Sequence, residues 1–194
     1  MTRFKSLFIK NSISMLVIIV TIFVGIFIIT QYKNKKGNNI EIGGSFKLID
    51  HKGEQYLSES SRKKKVIYFG YTFCPDVCPI DILVISRFVD QKPELIKDFD
   101  FIFITVDPER DDPSQMKNFM SNFNDKLIGL TGETKDIDNV LSKYRIYVKR
   151  NKKVGDDHYL VDHSSLIFLI NEKDEYISHF SPKDFEDRFS GFIN

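Results

Sequence analysis

Residues 68–79 read Y-F-G-Y-T-F-C-P-D-V-C-P, and this stretch contains the only two cysteines of the chain, Cys74 and Cys78. The apolar run from Val66 to Phe69 predicts a buried strand that ends at Gly70. Apolar residues then recur with the period of a helix, at Ile80, Leu83, Val84 and Phe88. We therefore expect the cysteines on a strand-to-helix loop at the carboxyl end of a strand, where α/β proteins often build their sites.

Two cysteines four positions apart allow more than one chemistry. On a helix their Cβ atoms would lie roughly 5–6 Å apart on one face, which suits two thiolates that bind one soft metal ion. A disulfide needs Cβ atoms about 3.5–4.5 Å apart, and Pro75 and Pro79 permit the non-helical loop it would require. A third alternative is two unrelated buried cysteines, because free cysteine often packs as a small apolar residue. The spacing alone leaves metal binding and a reversible disulfide both open.

An apolar segment comes before most of the chain. Residues 12–30 are almost wholly apolar, and as a helix they would span roughly 28 Å, close to the thickness of a hydrocarbon core. No small-residue cleavage pattern follows, so we predict an uncleaved transmembrane anchor at 12–30, a tail at 1–11 and a polar linker at 31–44. A cleaved signal peptide and a buried core helix are the alternatives. Three basic residues flank the segment on each side, so charge does not decide its orientation.

Charge is unevenly distributed along the chain. Residues 1–44 carry a net charge of +5, whereas the whole chain carries +1. Residues 45–194 therefore carry −4. A mildly acidic domain argues against nucleic-acid binding. The basic residues beside the apolar segment need no partner other than lipid headgroups.

Residues 45–194 alternate between strand and helix patterns, which predicts one α/β domain. The expected strands are the hairpin Phe46–Tyr56, Val66–Phe69, Phe101–Val106, Leu127–Leu130, the extended Ile146–Val148, Ser165–Ile170 and Tyr176–Phe180. The expected helices are Pro79–Gln91, Pro113–Phe123, Thr134–Tyr144 and a short last helix that begins at Ser181-Pro182 and ends near Phe192.

Two other segments are candidates for a site. D-P-E-R-D at Asp107–Asp111 directly follows an expected strand, and it is either a capped turn or a loop that shapes a site or a partner surface. His163 comes just before another apolar strand, and the neighbouring Asp162 either orients its imidazole or forms a turn. Met116 and Met120 lie four apart on an expected helix, which favours packing over copper ligation.

Several motifs occur together in one known family. The chain contains, in order, G-G-x-F-x-L at 43–48, T-F-C-P-D-V-C-P at 72–79, D-P-E-R-D at 107–111, L-I-G-L-T-G at 127–132 and V-D-H-S at 161–164. With the apolar N-terminal segment, this pattern resembles the Sco (SenC) copper proteins over residues 43–180. The resemblance implies a thioredoxin-like fold, with a central mixed sheet flanked by helices, for residues 45–194. It also implies one copper ion per domain, as Cu(I) with Cu(II) as a second state, bound by Cys74, Cys78 and His163.

The implied donor set is chemically suited to that ion. Two thiolates and an imidazole are soft ligands that favour Cu(I), and an open coordination position allows release by ligand exchange. Zinc also accepts two cysteines and a histidine, but usually with a fourth ligand.

The resemblance also implies a role and a location. Family members help to assemble the binuclear copper site of cytochrome c oxidase subunit 2. We expect a metallochaperone rather than a turnover enzyme. Such a protein would receive copper from an upstream donor protein and deliver it to that subunit. No arginine-rich presequence precedes the apolar segment, so we expect a bacterial inner membrane. Residues 1–11 would lie in the cytoplasm, and the domain would face the periplasm on a single-pass anchor.

Two alternatives use the same cysteines. In the first, Cys74 and Cys78 form a redox-active pair that reduces the copper-site cysteines of subunit 2, a reaction that does not need His163. In the second, the fold serves a peroxidase or a redox sensor, which would need one exposed thiol of low pKa.

Overall fold

The computed structural model describes residues 15, 19–30, 42–152 and 158–193. The chain divides into two compact units, Met1–Ile40 and Glu41–Asn194. In the first unit, residues 15 and 19–30 are helical and their large apolar side chains are exposed. The predicted tail at 1–11, residues 31–41 of the linker and several positions of the predicted anchor lie outside the described residues. Across the described ranges, no helix combines the length and the apolar character needed to cross a bilayer.

A mixed sheet of seven strands forms the centre of the second unit, and two further strands form a separate ribbon. The strands are β1 (Lys47–Asp50), β2 (Gln55–Leu57), β3 (Lys64–Gly70), β4 (Phe99–Thr105), β5 (Ile128–Thr131), β6 (Val148–Arg150), β7 (Val161–His163), β8 (Ile167–Ile170) and β9 (Tyr176–Phe180). The order across the sheet is β2-β1-β5-β4-β3-β8-β9, and β6 pairs with β7 in the ribbon. Strands β3, β4 and β5 are parallel, whereas β1 and β8 are antiparallel to their neighbours.

Helices follow β3, β4, β5 and β9. They are α1 (Val77–Gln91), α2 (Pro113–Met120), α3 (Thr134–Lys143) and α4 (Phe185–Phe189), with 3-10 turns at Ser58–Ser60, Pro93–Lys97, Pro182–Asp184 and Ser190–Phe192. The start of α2 is encoded locally. The side chain of Asp112 accepts a hydrogen bond from the Gln115 N–H, and Pro113 occupies the first turn, where its missing N–H costs nothing.

The core lies around β3 and β4. Every residue of β4 is buried, and so is every residue of β3 after Lys64. Strands covered on both faces have continuous apolar sequences, which is why the runs at Val66–Phe69 and Phe101–Val106 predicted this pair. Met116 and Met120 are also buried. Their side chains pack against Gly129 on β5, which confirms the packing role predicted for them.

The main differences from prediction concern the segment around His163. We expected His163 just before a strand that begins at Ser165, but β8 begins at Ile167, and His163 is the last residue of β7. Strand β7 pairs with β6 over three residue pairs, from Val148–His163 to Arg150–Val161. The three-residue sequence V-D-H is too short to show an alternating pattern. Its strand conformation depends on its partner.

Sheet register brings two predicted loops together. In the parallel pair β3–β4, Gly70 is opposite Thr105. The Val106 N–H donates to the Gly70 carbonyl at 2.7 Å, just beyond the ends of both strands. The cysteine loop and the Asp107–Asp111 segment therefore leave the sheet side by side, as expected for neighbouring strands.

Candidate metal centre

The two cysteines lie where β3 passes into α1. Cys78 is in the first turn of α1 and fully buried, while Cys74 is on the preceding loop and half-buried. Both are free thiols. The Cys78 N–H donates a hydrogen bond to the Cys74 sulfur, with 3.4 Å between N and Sγ. Gly70 makes room for this arrangement, because a Cβ there would lie 3.2 Å from the Cys78 Sγ.

The environments of the two thiols differ. Burial acts to raise the pKa of Cys74, but hydrogen bonds from the N–H groups at the start of α1 outweigh it, so the pKa of Cys74 is lowered. For Cys78, burial dominates and the pKa is raised far above its ordinary value. Cys74 is thus the more exposed and more easily ionised thiol, and Cys78 is held as a buried partner.

His163 approaches the cysteines from the ribbon. Its Nε2 lies 3.2 Å from the Cys78 Sγ, and its Nδ1 lies 3.0 Å from the Ser164 carbonyl oxygen. A carbonyl can only accept, so Nδ1 carries a proton and Nε2 is left facing the sulfur when the ring is neutral. Burial lowers the pKa of His163, which favours this neutral form. The rings of Tyr68 and Tyr71 contact the imidazole edge to face.

The structure therefore brings together all three residues expected at the site, Cys74, Cys78 and His163. They are not yet spaced for a metal: among the described residues, no group of three or more His, Cys, Asp or Glu side chains is arranged to hold an ion. With zinc-like bond lengths, a trigonal ion needs sulfur and nitrogen roughly 3.8 Å apart. The 3.2 Å contact of Cys78 and His163 suits a direct hydrogen bond. Binding an ion would require the two atoms to separate by roughly half an ångström.

The loop that carries Cys74 is held by a buried carboxylate. Both carboxylate oxygens of Asp111 accept hydrogen bonds from Thr72, one from its N–H at 3.0 Å and one from its hydroxyl at 2.6 Å. The Thr105 hydroxyl donates to the same carboxylate. Burial raises the pKa of Asp111, and these hydrogen bonds oppose that effect. The Asp107–Asp111 segment thus contributes to the shape of the site.

Asp162 does not orient the imidazole. Its carboxylate accepts a hydrogen bond from the Asn151 side chain, and the Nδ1 of His163 faces Ser164 instead. Alternation along β7 explains this, since successive side chains of a strand point to opposite faces. Asp162 is exposed, whereas His163 faces the cysteines.

Sequence reasoning missed several residues beside the site: Tyr68, Tyr71, Asp81, Tyr159 and Ser165. The spacing of Asp81 could have indicated its position, because it lies three residues after Cys78 on one helix and therefore on the same face. No sequence pattern pointed to Tyr159 or Ser165, because the residues that they contact are distant in the sequence.

Comparison with known proteins agrees with this fold. The sequence model of the SCO1/SenC family matches residues 34–191. An SCO2-like protein of Rickettsia typhi is 38% identical over 176 residues, which cover 87% of each chain. The chain belongs to the SCO1/SenC family.

Solved structures show the same architecture. The structure of ScoI from Bradyrhizobium japonicum with copper bound superposes with a TM-score of 0.70 and 36% identity, covering 78% of this chain and 99% of that one. BsSco, described as a member of the Sco family of cytochrome c oxidase assembly proteins with a disulfide switch, has a TM-score of 0.63 and 23% identity, covering 79% and 93% of the two chains. The central mixed sheet with flanking helices is thus the thioredoxin-like fold of Sco proteins.

Proposed function

We propose that this chain binds one copper ion through Cys74, Cys78 and His163 and delivers it to subunit 2 of cytochrome c oxidase during assembly. The observation that carries the proposal is the placement of the His163 Nε2 beside the Cys78 Sγ, although 85 positions separate the two residues. The second thiol, Cys74, lies on the loop before α1 and is half-buried. Copper bound in a close family member, ScoI, supports the choice of metal.

The three residues would have different roles in binding and releasing the ion. The buried Cys78 and the partly buried His163 form the less accessible side of the site. Cys74 forms the accessible side, where an incoming thiol of a partner can compete for the ion by ligand exchange. Protons compete for all three donors, so we expect binding to weaken at low pH.

We also propose that residues 12–30 anchor the protein in a bacterial inner membrane, with residues 1–11 in the cytoplasm and the domain in the periplasm. The support is the apolar composition of that segment and the length it would have as a helix. An upstream donor protein would supply the copper.

The three-ligand site is tested by anaerobic Cu(I) titration of the full chain against a competing chelator. We expect His163→Ala to lower the affinity on the order of tenfold or more, because even residues that only support a ligand cost 10–100-fold. His179→Ala is the control, since His179 is exposed on β9, outside the proposed ligand set. Unchanged affinity in His163→Ala would reject the three-ligand site.

A second candidate function is reduction of the subunit 2 cysteines, and the unequal environments of the thiols favour it. The Cys74 thiolate would attack the partner disulfide to form a mixed disulfide. The Cys78 thiolate would then displace the partner, leaving two partner thiols and a Cys74–Cys78 disulfide. Mixing the reduced full chain with an oxidised subunit 2 fragment tests this. Thiols that appear on the separated subunit 2 fragment, matched by their loss from Cys74 and Cys78, and that survive His163→Ala support reduction. No new thiols on the fragment above background would exclude it.

A further inference from the structure

Asp81 is a buried carboxylate that connects the cysteine helix to the chain beyond His163. It lies in α1, three residues after Cys78, and is only 8% exposed. Its Oδ2 accepts hydrogen bonds from the Ser165 hydroxyl at 2.6 Å and from the Tyr68 hydroxyl at 2.8 Å. Ser165 is two residues after His163, so this contact ties the far end of the histidine segment to α1.

Asp107 makes the corresponding connection on the near side of His163. It follows β4 and is fully buried. Its Oδ1 accepts a hydrogen bond from the Tyr159 hydroxyl at 2.7 Å, and its Oδ2 pairs with the Arg110 Nε at 2.5 Å. Tyr159 is four residues before His163. The segment that carries the imidazole is thus held by one aspartate on each side.

Arg110 extends the second connection toward Cys74. Its guanidinium lies 3.6 Å from the centre of the Tyr159 ring and 4.9 Å from the centre of the Phe73 ring. Phe73 directly precedes Cys74. A guanidinium over aromatic rings is attracted to their faces, so Arg110 links the histidine side to the cysteine loop.

These side-chain contacts matter because the ribbon is not a strand of the main sheet. Among the strands that the structure describes, β6 and β7 pair with each other and with no strand of the main sheet, so no described strand ladder sets the distance from His163 to α1. Other described contacts of this region also use side chains. The Val161 N–H donates to the Tyr71 hydroxyl at 3.3 Å, and the Arg150 guanidinium donates to the Val106 carbonyl. Arg150 also pairs with Asp138, and Lys152 pairs with Glu109. The distance between imidazole and thiol therefore depends on side chains.

We propose that Asp81 and Asp107 are positioning residues, which set the distance between His163 and the cysteines through Ser165 and Tyr159. This inference rests on the proposed copper function, since it concerns the same site. It adds two residues that touch no ion and act through their hydrogen-bonded partners. The distance between the His163 Nε2 and the Cys78 Sγ must change by only about half an ångström when an ion binds. Such a distance is sensitive to the hydrogen bonds that hold the histidine segment in place.

The test removes one hydroxyl at a time from the full chain, in Ser165→Ala and Tyr159→Phe. We expect Cu(I) affinity to fall about 10–100-fold in each, as for lost outer partners of metal ligands. We also expect the thiolate-to-Cu(II) absorption band and the Cu(II) electron paramagnetic resonance spectrum to change. Ser165→Thr keeps the hydroxyl and should restore both readouts.

Matched controls exist near the other end of β3. Ser58→Ala removes a buried serine-to-aspartate hydrogen bond of 2.6 Å to Asp174, and Tyr56→Phe removes a tyrosine-to-aspartate bond of 3.2 Å to Asp100. These variants lose the same chemical groups but should keep the copper spectra and affinity of the wild type. A merely structural effect would lower stability in both sets without changing the spectra in either.

A readout without copper separates this proposal from the proposed function. In the metal-free chain, the nuclear magnetic resonance signals of the His163 imidazole should shift in Ser165→Ala and Tyr159→Phe and stay in place in the two controls. If the wild type binds copper and both site variants match the controls in affinity, spectra and imidazole signals, the positioning role is wrong. If the wild type binds no copper but the imidazole signals shift in the two site variants, the positioning role is supported and the proposed copper function is wrong.

Discussion

Buried aspartates lie at both ends of β3, but their carboxylates have different partners at the two ends. At the amino end, the Lys65 ammonium pairs with Asp174 at 2.7 Å, and both side chains are essentially inaccessible to water. At the carboxyl end, Asp81 and Asp111 accept hydrogen bonds mostly from hydroxyl groups, beside two thiols and an imidazole. The strand between them has seven residues, which span roughly 20 Å.

The two ends of β3 therefore serve different purposes: the amino end stabilises the fold, and the carboxyl end holds the reactive side chains. At the amino end, Oδ2 of Asp174 accepts from the Ser58 hydroxyl and its carbonyl accepts from the Gly44 N–H. Its Oδ1 faces the Lys65 ammonium, so the charge of the carboxylate is paired inside the protein. The carboxyl end keeps Cys74 partly accessible. Its aspartates bind hydroxyl groups such as that of Ser165, which belongs to the segment that carries His163. We infer that changes at the amino end mainly affect unfolding, whereas changes at the carboxyl end also affect the metal site.

The largest effect is expected for Lys65→Met. Removing the ammonium leaves a buried carboxylate uncompensated, which lowers the free energy of unfolding by about 3–5 kcal/mol. Urea unfolding measures this, and the copper spectra of the folded variant should match the wild type. Lys126→Met is the control, because its ion pair with Asp125 is exposed, and it should change stability by no more than about 0.5 kcal/mol. A loss in Lys65→Met as small as in this control would contradict the role of the buried pair.

The next largest effect is expected for Gly70→Ala, at the carboxyl end. The added Cβ would lie 2.9 Å from Cε2 of Phe103 and 3.2 Å from the Cys78 Sγ. Such overpacking costs about 1–3 kcal/mol, and here it should also displace the sulfur. We expect lower stability and a changed thiolate-to-Cu(II) band together. Gly191→Ala is the control, since nothing lies near its Cβ position. If Gly70→Ala loses stability with an unchanged band, the two ends do not differ as proposed.

The smallest effect concerns pH and Asp111. Burial raises the pKa of Asp111, so the folded chain keeps this proton to higher pH than the unfolded chain, where the pKa is about 3.9. The stability that Asp111 contributes is therefore largest at low pH and falls as the pH rises through the folded pKa. The stability of the wild type relative to Asp111→Asn should decrease as the pH rises above the unfolded pKa of about 3.9, as measured by urea unfolding.

Asp125→Asn is the control for that comparison. Its carboxylate is exposed, so the difference from the wild type should show no such decrease. A stability difference between wild type and Asp111→Asn that grows as the pH rises would show that the hydrogen bonds from Thr72 and Thr105 outweigh burial, and the assignment of the pKa direction would be wrong.

Much of the fold was predictable because local pattern and burial agree. The run Val66–Phe69 and the helical spacing after Cys78 are both confirmed, and so is the hairpin near the start of the domain. In that hairpin, the Asp50 carboxylate accepts from the Lys52 and Glu54 N–H groups. The limits of elements were less accurate, as for α2, which ends at Met120 rather than Phe123. The terminal turn of a helix depends on packing that the pattern does not encode.

By itself, the sequence predicted the strands of the main sheet and the helices in order, but not β7, and it predicted the loop that carries Cys74 and Cys78. Family motifs made His163 the candidate third ligand. Only the tertiary structure decided that Asp81 and Asp107 hold the histidine segment on both sides. The physical reason is range. A strand or helix pattern arises from neighbours a few residues apart, whereas these contacts join groups up to 84 positions apart and exist only once the sheet has formed.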